Sequence, residues 1–121
     1  MGKQEQLQEL IRQFRQAVPD ITGVIVAGTD GLSLANDLPE AEAARAAAMA
    51  ATALGLGKRI SQASALGDLD EVVVRGQAGY WVVYSAGEKA VVAVTAPAGA
   101  NLGLINLEAR GAAQSAAKIL G

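Results

Sequence analysis

Residues 23 to 35 read GVIVAGTDGLSLA. Two apolar runs, GVIVAG and LSLA, are separated by Thr29-Asp30-Gly31. Asp tolerates the left-handed backbone conformation and Gly adopts it freely, so Asp-Gly between apolar runs marks a tight β-hairpin. The competing reading is a glycine loop that cradles phosphate. That chemistry needs G-x-x-x-x-G-K-[ST] opening a helix, so that backbone N–H groups and a Lys converge on the phosphates. Here Gly31 is followed by Leu32 and Ser33, with no Lys and no helical pattern. The stretch is therefore read as a hairpin, with strands over 23–28 and 32–36, and the fold is built outward from it.

Upstream, residues 3 to 18 predict an amphipathic helix with Leu7, Leu10, Ile11, Phe14 and Val18 on one face; Pro19 ends it. Downstream, DLPE at 37–40 opens a second helix. Asp37 is placed as its N-cap, Pro39 in its first turn, and Glu40 and Glu42 at the positive end of its dipole. The helix is expected to run to about Ser64, with Lys58 and Arg59 towards its negative end. One stripe of it is Met49, Ala53, Leu56 and Ile60, expected to face the core. Another is Ala41, Arg45, Ala48, Thr52, Gly55 and Arg59, nearly smooth with an Arg near each end. That smooth stripe suits close approach of a second helix or packing on the chain's own sheet. Gly55 and Gly57 each cost about 1 kcal/mol relative to Ala in a helix interior, which argues for close packing or an earlier helix end. GLGKR at 55–59 fails as a phosphate loop. Thr52 and Arg59 stand where Gly and Ser or Thr are required, and the segment lies inside a helical pattern.

GDLD at 67–70 reads as a turn. Three strands follow, EVVVRG (71–76), GYWVVYS (79–85) and AVVAVTA (90–96), joined by short turns into an antiparallel meander. Their runs are continuously apolar rather than alternating, so both faces of the sheet must be covered. After PAGAN, Asn101 caps a last helix with Ile105, Ala109, Ala112, Ala116 and Ile119 on one face. The order is α-β-β-α-β-β-β-α. The expected fold is α+β: a three-layer α-β-α sandwich with a five-stranded antiparallel sheet, the terminal helices on one face and the middle helix on the other.

Composition narrows the function. The 121 residues suit a single domain, 1–121, and 51% hydrophobic content supplies a core. A net charge of −2 gives no field that would attract nucleic acid or an anionic membrane, and 3% aromatics offer no stacking platform for bases. There is no Cys and no His, which removes disulfides, thiol chemistry, the commonest general base and the commonest transition-metal ligand. No cofactor or metal is expected. The start of the chain, MGKQEQLQELIRQF, is unlike a signal peptide, and the uncharged run between Arg45 and Lys58 is too short to span a bilayer. The expected location is the cytoplasm.

Few side chains are placed for catalysis, and the chain is not expected to be an enzyme. Asp68, Asp70 and Glu71 cluster at a turn but lack a calcium-loop pattern. Ser85 and Lys89 flank a hairpin turn, and a Ser–Lys dyad is the sharper alternative to a plain turn. Tyr80 and Tyr84 share one face of their strand and Trp81 takes the other. They are expected to cover the sheet with polar tips reaching water, rather than to form a ligand cage. Arg45, Lys58 and Arg59 suit either solvent and the helix dipole or an acidic partner surface.

The order of these pieces resembles the Roadblock/LC7 family, in particular its bacterial members that stand alone as one domain. The resemblance is carried by GVIVAGTDGLSLA after an amphipathic helix, by the Ala-rich helix after DLPE, and by NLGLINLEAR at 101–110 opening the last helix. It spans essentially the whole chain. It implies a sheet order of 2-1-5-4-3 with the third strand at an edge. It also implies a homodimer in which those edges pair and the middle helices pack side by side, forming a platform for a Ras-like small GTPase. Some members promote hydrolysis by reshaping the partner's site without an arginine finger. The residues expected at the dimer or partner interface are Arg45, Ala48, Thr52, Gly55, Arg59, Val72, Val73 and Val74. An unpaired run of three valines is itself a hazard that calls for a mate, or for blunting by Glu71 and Arg75. The implied role is a regulator or adaptor. The alternatives are a PAS-like sensor of small ligands and a scaffold subunit of a larger assembly.

Overall fold

In the computed structural model, which describes residues 1–121, the elements are α1 (Lys3–Ala17), β1 (Gly23–Gly28), β2 (Ser33–Asn36), α2 (Glu40–Ala63), β3 (Val72–Arg75), β4 (Gly79–Ala86), β5 (Ala90–Pro97) and α3 (Leu102–Leu120). The strands form one antiparallel sheet in the order β2-β1-β5-β4-β3. This is the order implied by the resemblance, and β3 lies at an edge. α1 and α3 cover one face with a core that includes Leu7, Phe14, Val82, Tyr84 and Ile105; α2 covers the other over Ile25, Ala27, Val83, Val91 and Ala93. β1 is buried along its whole length and β5 along most of it. That burial on two faces is why neither strand alternates.

The β1–β2 hairpin forms as expected. Gly31 takes φ +87°, the Asp30 carboxylate accepts from the Leu32 amide at 3.1 Å, and Gly28 N–H donates to the Leu32 carbonyl at 2.8 Å. Asn101 caps α3 by accepting from Leu104 N–H at 3.1 Å. The expected cap of α2 does not form. Pro39 occupies the cap position with no side-chain bond, and α2 begins at Glu40. Asp37 instead turns back to the sheet. Its Oδ1 accepts from the Val24 amide at 2.8 Å, and its Oδ2 lies 3.1 Å from Nη1 of Arg15 on α1. One carboxylate thereby joins β1, the start of α2 and the end of α1, a tertiary role that outcompetes local capping.

A second correction concerns α2. Its buried residues are Ala43, Ala46, Ala47, Ala50, Leu54, Gly57 and Ser61. The stripe expected in the core is exposed instead: Met49 is 47%, Leu56 55% and Ile60 51% accessible. The sheet leaves room only for methyl groups beneath most of the helix, so the alanines approach it and the larger side chains turn out.

Replacing Asp37 with Ala removes the acceptor of the Val24 amide and leaves the buried Arg15 Nη1 without its counter-ion. Chemical denaturation should register a loss of roughly 1–3 kcal/mol. Asp30→Ala, at an exposed turn, should lose about 1 kcal/mol or less.

Candidate interaction surface

The geometry of α2 decides what the molecule offers a partner. The helix starts beside β2 and crosses the sheet to β3, where an added Cβ on Gly57 would lie 2.6 Å from Cγ2 of Val72 and 3.0 Å from Cδ2 of Leu69. Gly57 therefore lets helix and edge strand touch. The β1–β2 turn lies against one flank, with Gly31 close to the Ala48 backbone. The opposite flank carries Met49, Ala53, Leu56 and Ile60 and looks over the far end of the sheet. There Trp81 packs half-buried against the α2-side core, and Val74, 51% exposed, is its partner across the β3–β4 ladder. The α2 flank, Trp81 and the β3 edge thus place exposed or half-buried apolar residues on the α2 side of the molecule.

β3 pairs only with β4, and its outer edge has no strand beside it. Val72 and Val74 face the α2 side, while Val73, 43% exposed, faces the α3 side opposite Val82. Arg75 lies over the Tyr80 ring at 5.9 Å, a cation–π contact that holds one charge at the end of the edge. The entry to β3 is fixed by Glu71, whose Oε1 accepts from Arg110 on α3 at 2.8 Å.

The remaining interface candidates lie on the outermost line of α2. Arg45, Ala48, Thr52, Gly55 and Arg59 are all exposed, so the reading that packs this stripe on the chain's own sheet does not hold. The Thr52 hydroxyl donates its one proton to the Ala48 carbonyl at 2.8 Å, leaving only its acceptor capacity between the two arginines. The structure therefore separates two surfaces. The flank with Met49, Leu56 and Ile60 joins Val72, Val73 and Val74 at the edge. The outward line holds Arg45, Ala48, Thr52, Gly55 and Arg59. The spacing of Ala43, Ala46, Ala47, Ala50, Leu54, Gly57 and Ser61 is itself a regular helical face and was the signal that could have placed the larger residues outside.

The sharper chemical readings find no support in the geometry. The hydroxyl of Ser85 donates to the Gly87 carbonyl at 2.9 Å, as a turn residue does, rather than to Lys89. Asp68, Asp70 and Glu71 do not converge into a metal-holding group. Tyr84 does not reach water as expected: it is buried, its hydroxyl donates to the Asn106 side chain, and burial pushes its phenol well above the usual tyrosine range, with the Glu71 charge adding to the shift. A cleft of about 570 Å³ between β4 and α3, lined by Asp70, Tyr84, Ser85, Arg110, Gln114 and Lys118, pairs no nucleophile with a base.

The two helix glycines are expected to respond oppositely. Nothing lies within 4 Å of a Cβ added to Gly55. Gly55→Ala should stabilise the isolated chain by about 0.5–1 kcal/mol through helix propensity alone. Gly57→Ala should be net destabilising by about 1 kcal/mol, because overpacking of roughly 1–3 kcal/mol outweighs that gain. Thermal melts of the two variants make the comparison.

Known proteins place this architecture. The Roadblock/LC7 domain family matches residues 7–96. The chain is 36% identical over 95 residues to MJ1340, an uncharacterized protein of Methanocaldococcus jannaschii, covering 78% of this chain and 82% of that one. Among solved structures, a Roadblock/LC7 domain from Streptomyces avermitilis superposes with a TM-score of 0.87 at 26% identity, covering 93% of this chain and 96% of that one. The gliding protein MglB from Thermus thermophilus superposes with a TM-score of 0.84 at 18% identity, covering 98% and 91%. Match, coverage and topology agree: this chain belongs to the Roadblock/LC7 family.

Proposed function

We propose that this chain is a non-catalytic homodimeric regulator or adaptor that binds a Ras-like small GTPase and shifts its nucleotide state. The observation that carries the reading is the exposed apolar flank of α2 together with half-buried Trp81, exposed Val74 and the unpaired β3 edge. A sheet edge with free N–H and C=O groups beside exposed Val, Leu, Ile and Met is a surface that aggregates unless something covers it. A second copy satisfies both needs. The β3 edges continue one sheet across the dyad, and the flanks with Met49, Leu56 and Ile60 close over the seam. The outward lines of the two α2 helices then form one platform.

The GTPase part of the reading rests on the family and on the fold shared with MglB. The chain's own composition suits it, because a protein without His, Cys or a phosphate loop acts on nucleotide through its partner. The mechanism is differential affinity. A platform that binds one state of the switch loops tenfold better shifts their equilibrium by about 1.4 kcal/mol and no more.

The test is single-turnover GTP hydrolysis and nucleotide release by Ras-like GTPases of the source organism, with and without excess of this chain. A changed rate with any of them supports the reading, and no binding to any of them contradicts it. Leu56→Asp with Ile60→Asp places carboxylates on the seam at two exposed positions, so each protomer should stay folded while the dimer falls to monomer. The rate effect should disappear with it.

A further inference from the structure

The edge strand is charged at both ends and apolar between. From its entry it reads Glu71-Val72-Val73-Val74-Arg75, acid first and base last. Such a strand complements itself when it meets a second copy antiparallel, because each acid end then meets a base end. Parallel and unshifted, it would set acid against acid and base against base. Both charges lie on the α3 side of the sheet. Glu71 reaches Arg110 on α3, and Arg75 lies over Tyr80, which packs against the core beneath α1 and α3. Arg75 enters no ion pair; the salt bridges are Arg12–Glu9, Arg15–Asp37 and Arg110–Glu71. Glu71 uses Oε1 on Arg110, and its Oε2 makes no hydrogen bond. Asp70, the next charge along, lines the cleft beside Arg110 and adds to the acid end.

The backbone restricts the pairing further. Gly76 N–H donates to the Gly79 carbonyl, so alternation along the ladder turns Val72 and Val74 toward β4 and leaves the N–H and C=O groups of Val73 and Arg75 on the open side. Glu71, one alternation earlier, opens the same way. A joined sheet that keeps both α2 helices on one face opposes residues of like facing, so its dyad passes through a residue and not between two. With the dyad at Val73, that residue meets the partner's Val73, Val72 meets the partner's Val74, and Glu71 meets the partner's Arg75. The pairs at Val73 and at Glu71 and Arg75 then exchange backbone hydrogen bonds. A dyad at Val74 sets Arg75 against a valine, and a dyad at Val72 does the same to Glu71. The opposite edge of the sheet offers no such match. β2 carries no charge, and its Asn36 carbonyl already accepts from Gln8.

We propose that β3 pairs with β3 of a second copy about a dyad at Val73, and that Glu71 and the partner's Arg75 form the cross-strand pair that sets this register. The proposal rests on the homodimer reading and specifies it: each copy supplies the cation that the other's edge lacks. Glu71 then stands between Arg110 of its own chain and the partner's Arg75. Opposite charges facing each other across strands favour a pairing and like charges oppose it, so the same two residues select this alignment and reject the shifted ones.

The chain has no Cys, so one introduced sulfur reports the register. Val72→Cys, Val73→Cys and Val74→Cys are oxidised mildly and followed on non-reducing gels. Facing residues of a hydrogen-bonded antiparallel pair hold their Cα atoms about 5.5 Å apart, within disulfide reach, whereas positions offset by two residues lie beyond about 7 Å. Val73→Cys should cross-link fastest. In parallel, light scattering measures dimer dissociation for Arg75→Glu, Glu71→Lys and the double variant, with melting curves to verify folding. Each single variant should weaken the dimer about tenfold or more, and the double variant, which restores opposite charges across the dyad, should recover most of the loss. The cysteine series keeps both charges, so it decides the register even where a charge variant fails to fold. Fastest cross-linking at position 72 or 74, a dimer indifferent to Arg75→Glu, or a double variant as weak as the singles overturns this inference and leaves the homodimer standing. A wild-type chain that is monomeric at every concentration removes both.

Discussion

Because α2 lays an alanine face on β1, β5 and β4, its larger apolar side chains have nowhere to go but outward. Ala47 and Ala50 are fully buried, with Ala43, Ala46 and Leu54 nearly so, while Met49, Leu56 and Ile60 stay about half exposed. A helix that buries methyl groups approaches its sheet closely, and Gly57 extends that approach to the edge strand. The same packing that completes the core therefore creates the apolar flank. Most of what is unusual about the surface follows from it.

The edge strand shares in the arrangement. Val72 and Val74 continue the apolar surface on the α2 side, and Glu71 ties the entry of β3 to α3 through Arg110. The Arg110 side of that ion pair is open to solvent, so the pair contributes little to stability on its own. Its consequence is positional, because it ties the entry of the short edge strand to α3, while the ladder with β4 sets its register. Asp37 plays the corresponding part at the other side of the sheet, where its bonds to Val24 and Arg15 fix the angle at which the chain enters α2. The entry to α2 is thus tied by a carboxylate, while its far end meets the edge strand where Gly57 lies against Val72.

The element order, the sheet order and the hairpin were legible in the sequence, because strand runs, Asp-Gly and Pro19 act locally. The face of α2 was not. Met49, Leu56 and Ile60 outrank Ala46 and Ala50 in hydrophobicity, and a reading by hydrophobicity sends them inward; only the close approach of helix to sheet reverses that order. The role of Asp37 was not legible for a related reason. Asp before Pro-Glu is a good local cap, and the competing partners, Val24 and Arg15, are remote in sequence. In the sequence the interface candidates form one set. Their division into a flank with an edge and an outward line depends on where α2 sits over Trp81 and β3, which no spacing rule reports.

The central claim is that the flank of α2 and the edge of β3 meet a second copy. Light scattering of the purified chain across a concentration series tests it most directly. The account predicts a mass near twice 12.3 kDa that persists on dilution through the micromolar range. A mass of 12.3 kDa at every concentration would contradict it, leaving the apolar flank and the unpaired edge without the partner on which the platform depends.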